Sequence, residues 1–338
     1  ILYLQDKGGD ENYHVYGVDI NGANDKELTP FEGVRVNIIE SLKEDKEHII
    51  IQMNKDNPQQ EEPYRLNINS GEITKLYTVK EGEPPVAGYD FDREGNLRAI
   101  SRIVDGVNTE LLYKIDGEFK LVKLTEFGDE FGISSFNPGS ANPDDAYVIS
   151  NLEGDKIEIQ LYDLKKNKKI NTVFSNDTYD VSGMALSKKR NYEIDYFSYT
   201  GEKTQIIPVS DTYKKIYNRL KQEFGDKQFF TVGRTDDESK YMVAVTSDKI
   251  VGEYYLYDVE ADEISLFYKL LPHLKEEDMA SMKPITFKSR DGLTLHGYIT
   301  LPHSYQEGMQ VPLVVNPHGG PQGIRDSWGF NPEAQLFA

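Results

Sequence analysis

A strand, a polar turn and a second strand recur six times along this chain, at a spacing that suits a ring of stacked repeats. The copies read Tyr-Gly-Val-Asp-Ile at 16–20 before Asn21 and Gly22, Tyr-Arg-Leu-Asn-Ile at 64–68 before Asn69, Ser70 and Gly71, and Leu-Tyr-Lys-Ile-Asp-Gly at 112–117. They continue as Leu-Tyr-Asp-Leu at 161–164, Tyr-Phe-Ser-Tyr at 196–199 before Thr200 and Gly201, and Leu-Tyr-Asp-Val at 256–259. Apolar alternation interrupted by short Asn, Asp and Gly turns is the pattern of β-hairpins. The residues closing each first strand, Asp19, Asn67, Asp116, Asp163, Ser198 and Asp258, are separated by 48, 49, 47, 35 and 60 positions.

Such a period, built from strands alone, predicts a mainly β fold: a β-propeller of six or seven blades, each burying its faces against its neighbours. The long last step has a local cause. Ser210 and Asp211 form an N-terminal cap signal, Tyr213, Ile216, Tyr217, Leu220 and Phe224 fall on one helical face, and Gly225 supplies a stop. One inserted helix accounts for the excess. The acidic residues at the strand ends are read as acceptors of turn hydrogen bonds, in preference to calcium ligands or catalytic groups.

With 57 acidic against 38 basic side chains, a net charge of -19 repels nucleic-acid phosphates and anionic lipid surfaces. No nucleic acid or membrane partner is expected. The absence of cysteine removes disulfides and thiolate metal sites without fixing a compartment. No His-x-His or His-x-x-x-His pair occurs, and His14, His48, His273 and His303 stand apart in the sequence, so neither a metal nor a cofactor is expected. The first residue is not methionine and the last residues fall within an apolar pattern, from which we expect a piece of a longer protein.

A second domain is expected to begin near residue 280, giving a propeller over 1–279 and a different layer over 280–338. Residues 284–292 alternate and turn at Asp291-Gly292, and the return strand places Leu293, Leu295, Ile299 and Leu301 on one face, with Thr294, His296, Tyr298 and Thr300 on the other. His296 is thus expected at a surface or interface. The apolar run 311–315 reads as a strand buried on both faces of a parallel sheet, and His318, Gly319, Gly320 and Pro321 stand at its carboxyl end, where ligands of such sheets bind. Two glycines there allow a tight turn that aims backbone N–H groups at one point, a geometry suited to an oxyanion. An ordinary glycine turn is the competing reading.

With these residues in view, the whole chain resembles the prolyl oligopeptidase family of serine peptidases, and within it the acylaminoacyl-peptidase-like and dipeptidyl-aminopeptidase-like bacterial enzymes. The likeness is sharpest from Asp211 onward, in 252–258, 283–292, 316–322 and the Asp326-Ser-Trp328 run. It implies a propeller capping an α/β-hydrolase domain, short peptides as substrates, and an oxyanion loop in which Gly319 and Gly320 offer backbone and His318 gives support. Trp328 is expected beside the cleft or as a plain core aromatic.

No Gly-x-Ser-x-Gly nucleophile motif occurs in the 338 residues, so no catalytic residue is assigned and the chain alone is expected to hydrolyse nothing. Two alternatives are a carboxylesterase, whose oxyanion loop more often carries a third glycine in place of Pro321, and a non-enzymatic propeller that binds a partner. A homo-oligomer is allowed for, through an uncovered sheet edge. The compartment stays open, with the likeness to exported bacterial relatives favouring a periplasmic or secreted site.

Overall fold

A computed structural model describes residues 1–42, 44–320 and 324–338. The chain is mainly β and carries six blades of a β-propeller, each an antiparallel sheet of three or four strands in chain order. It divides into two compact units, Ile1–Asn176 and Asp177–Ala338.

The first unit holds four blades. Blade 1 consists of β1 (Leu2–Gln5), β2 (His14–Gly17) and β3 (Lys26–Glu27); blade 2 of β4 (Val36–Ser41), β5 (His48–Met53), β6 (Glu62–Asn67) and β7 (Ile73–Lys75). Blade 3 contains β8 (Val86–Phe91), β9 (Leu97–Val104), β10 (Asn108–Ile115) and β11 (Glu118–Thr125), and blade 4 contains β12 (Phe131–Phe136), β13 (Asp145–Ser150), β14 (Glu158–Asp163) and β15 (Lys168–Phe174).

Alternation along the strands builds the core between consecutive blades. Val15, Leu28, Ile49, Ile51, Met53, Tyr64 and Leu66 form one buried cluster across blades 1 and 2. Leu111, Tyr113, Val122, Phe131, Val148, Tyr162 and Leu164 form another across blades 3 and 4. Each such side chain contributes about 1.5–3 kcal/mol when removed from water, which no single blade could collect alone. The turn acceptors read from the sequence act as such: Asn67 accepts from the Asn69 and Ser70 amides at 2.9 Å, and Asp163 accepts from the Lys166 amide at 2.8 Å.

The second unit continues with blade 5, β16 (Val181–Ser187), β17 (Glu193–Thr200) and β18 (Thr204–Pro208), then helix α1 (Asp211–Phe224). Blade 6 follows as β19 (Gln228–Arg234), β20 (Lys240–Thr246), β21 (Glu253–Asp258) and β22 (Glu263–Lys269). The helix has the caps and the face expected of it. Ser210 accepts from the Tyr213 amide, Gly225 ends the helix at φ 61°, and Tyr213, Ile216, Leu220 and Phe224 are buried with Phe229, Tyr241, Val243 and Tyr257. All six repeated hairpins are the last two strands of their blades.

Beyond the blades lie a separate hairpin, β23 (Met282–Lys288) and β24 (Thr294–Thr300), and a short helix, α2 (Pro332–Phe337). The hairpin register sets Phe287 opposite Leu295 and Ile285 opposite Gly297, so the expected apolar face exists, yet Phe287 and Leu293 remain mostly exposed. Residues 311–315 differ from expectation. They form no strand, and Leu313 and Val315 are 78% and 74% exposed. A parallel strand needs hydrogen-bonding neighbours and covering layers, and among the described residues no neighbour pairs with this run.

Candidate functional site

The glycine pair stands on the surface of the second unit. Gly320 has φ 139°, a conformation that disfavours any side chain, and a Cβ placed on Gly319 would meet open space. Pro321, the fourth residue of the expected loop, lies outside the described residues. His318 turns its Nδ1 to Asp326 Oδ2 at 2.9 Å. Histidine orientation is commonly fixed by such a carboxylate at one ring nitrogen, so His318 braces this segment through a contact eight positions away.

Arg325 anchors the same stretch to blade 5. Its two terminal nitrogens donate to the carbonyl oxygens of Thr200 and Gly201, each at 2.6 Å, and its guanidinium lies 5.8 Å from the Tyr179 ring centre. The turn between β17 and β18 is held at two more points: Tyr298 donates to the Glu202 carbonyl at 2.7 Å, and Lys203 sits over the Trp328 ring. Trp328 is buried, as a core aromatic would be, and donates its indole N–H to the Met282 carbonyl at 2.9 Å. At the far end Asn316 donates to Glu333 at 2.6 Å, and Gln335 bonds the backbone of Asp248 and Ala280.

The structure therefore brings His318, Gly319 and Gly320 together with Asp326, Arg325 and a blade-5 turn. Chemically, the arrangement offers exposed backbone donors on a braced segment. His296 is exposed beside Thr286, as expected. His14 and His48, which look isolated in the sequence, have carboxylate partners in Glu27 and Asp45.

Sequence reasoning missed two further features. Asp195 and Glu238, both buried, share Arg190 and Arg234 and accept hydroxyl hydrogens from Ser210 and Ser187. On β8, burial alone pushes the Asp90 carboxyl up to about 6, and this group has no hydrogen-bond or ion-pair partner among the described residues. A charged residue every few positions in an acidic chain gives no signal that marks either one.

No family model matches the chain. It is 26% identical, over its whole length, to dipeptidyl aminopeptidase BIII of Pseudoxanthomonas mexicana, and covers 49% of that protein. Among solved structures, a puromycin-hydrolyzing peptidase of Mycobacterium tuberculosis superposes with a TM-score of 0.58 at 12% identity, over 92% of this chain and 52% of the other. Prolyl oligopeptidase B from Galerina marginata superposes with a TM-score of 0.54 at 14% identity, over 90% and 45%. These structures bear out the fold read from the repeats, and the homologues are peptidases, as the resemblance implies. The chain spans about half the length of the relatives it matches.

Proposed function

We propose that this chain is the propeller, over 1–279, and the opening of the catalytic domain, over 280–338, of a serine peptidase that releases aminoacyl, acylaminoacyl or dipeptidyl units from short peptides. The observation that carries the reading is the exposed pair Gly319 and Gly320, with Gly320 at φ 139° and the preceding His318 held by Asp326. In acyl transfer, negative charge develops on the carbonyl oxygen, and prearranged N–H donors there are worth about 10²–10³ in rate. On this reading the segment supplies such donors, and because the 338 residues contain no Gly-x-Ser-x-Gly motif, the nucleophile is assigned to sequence outside them. The exposed run 311–315, apolar on every side, supports the same reading, because it has the composition of a central strand of a parallel sheet.

The test compares the complete protein with the 338-residue chain on dipeptidyl, aminoacyl and acylaminoacyl chromogenic substrates, each with a fluorophosphonate label for an activated serine. Turnover and labelling are expected in the complete protein alone. Absence of both from the complete protein would overturn the proposal, as would turnover by the short chain that survives repurification and serine-directed inhibition.

A further inference from the structure

We propose that Arg325 is a positioning residue, tying the His318 and Asp326 segment to the blade-5 turn so that this blade sets the geometry of the glycine-pair donors. This rests on the function proposed above. The guanidinium makes no ion pair among the described residues; both terminal nitrogens go to backbone carbonyls, of Thr200 and Gly201, at 2.6 Å. A planar fork with two parallel donors fixes direction as well as distance, which a lysine cannot reproduce.

The next residue, Asp326, holds His318, and His318 immediately precedes Gly319. Contacts therefore run from the blade-5 turn through Arg325 and Asp326 to the histidine beside the donors. The turn itself has little room to shift. A Cβ on Gly201 would stand 3.2 Å from the Tyr179 ring, and Tyr179 stacks on Tyr199 with centroids 5.7 Å apart. Lys203 over Trp328 and Tyr298 on the Glu202 carbonyl hold the same four-residue turn from its other end.

The experiment uses the complete peptidase with Arg325→Met, Arg325→Lys and Gly201→Ala, and expresses kcat per site titrated by fluorophosphonate, so that misfolded molecules drop out. Donors displaced from a developing oxyanion lower kcat and leave ground-state binding in place. Small displacements of a catalytic group cost up to about 100-fold. We expect kcat to fall about 10–100-fold in Arg325→Met with KM changed less than about threefold, and by less in Arg325→Lys. Gly201→Ala, which touches the loop only through Arg325, is expected to lower kcat in the same sense. A kcat per titrated site within about twofold of the parent in both Arg325→Met and Gly201→Ala would overturn the proposal.

A second readout does not depend on activity. In the 338-residue chain, the His318 ring resonances, which the Asp326 contact sets, are expected to shift in Arg325→Met toward those of a histidine without that contact. Unchanged His318 resonances overturn the anchoring even if the complete protein proves inactive, an outcome that would sink the proposed function separately.

Discussion

The Lys203 ammonium lies 3.5 Å from the centre of the Trp328 ring, joining the blade-5 turn to the segment that follows the glycine pair. Trp328 is the chain's single tryptophan, and its indole N–H is already engaged by the Met282 carbonyl. Its ring edge is thus fixed by the backbone of β23 while its face receives a cation from β17–β18, so one aromatic side chain reports on both.

Replacing Lys203 tests that contact. A cation over a buried indole contributes about 1–2 kcal/mol. Lys203→Ala is expected to lower the stability of the second unit by about 1 kcal/mol and to change Trp328 emission in the folded state, while Lys203→Arg keeps both near the parent. Urea titration followed by tryptophan fluorescence measures the two effects together; equal midpoints for parent and alanine variant would show that the cation contributes nothing.

The cap of α1 gives a second prediction. Ser210 Oγ accepts from the Tyr213 amide at 3.0 Å and donates to Asp195 at 2.7 Å. Loss of an N-cap alone costs about 1 kcal/mol, and the buried Asp195 would lose a donor as well. Ser210→Ala is therefore expected to cost about 2 kcal/mol, and Ser210→Thr, which keeps the hydroxyl, clearly less. Chemical denaturation decides between them.

Asp195 itself is the stronger test of how blades 5 and 6 hold together. It is fully buried and is paired with Arg190 and, at 2.9 Å, with Arg234. Removing one member of a buried pair strands its partners, at about 3–5 kcal/mol. Asp195→Ala should fall in that range, and the double replacement of Asp195 and Arg234 by apolar residues should cost less than the two single losses combined. Additive losses in a double-mutant cycle would mean that the pair is uncoupled.

How far the sequence carries the structure follows from contact range. The six hairpins and the caps of α1 depend on residues within about ten positions of one another, where turn chemistry and alternation decide the outcome. The Arg190, Asp195, Arg234 and Glu238 cluster forms only when blades 5 and 6 stack, and pairs residues up to 48 positions apart. Local pattern has no access to it. The conformational freedom of Gly319 and Gly320 is local and can be read from the sequence, whereas the anchor of this segment, Arg325 on the Thr200 and Gly201 carbonyls, spans 124 positions or more. Residues 311–315 fail in the opposite way: the run has a strand's composition, but a strand is defined by partners, and none of the described residues pairs with it.

Asp90 carries the pH prediction. It lies on β8 opposite Ala99, and its carboxyl is pushed up to about 6 by burial alone. An unfolded aspartate titrates near about 3.9, so between these values the folded chain binds more protons than the unfolded one. Stability from this group is fully present below pH of about 4, declines as pH rises toward about 6, and stays low above that. The depressed carboxylates act with the opposite sign and at lower pH: Asp237, held to about 2 by the Thr235 hydroxyl and the Ser239 amide and hydroxyl, loses its contribution only as pH falls. Comparing the parent with Asp90→Asn cancels those groups and isolates the one of interest. A shift of roughly two units corresponds to about 2–3 kcal/mol, so Asp90→Asn should be more stable than the parent by about that amount at pH 7 and nearly equal to it at pH 4. Urea midpoints for both chains across this range provide the check, and parallel pH profiles would mean that Asp90 is solvated or paired in the folded chain.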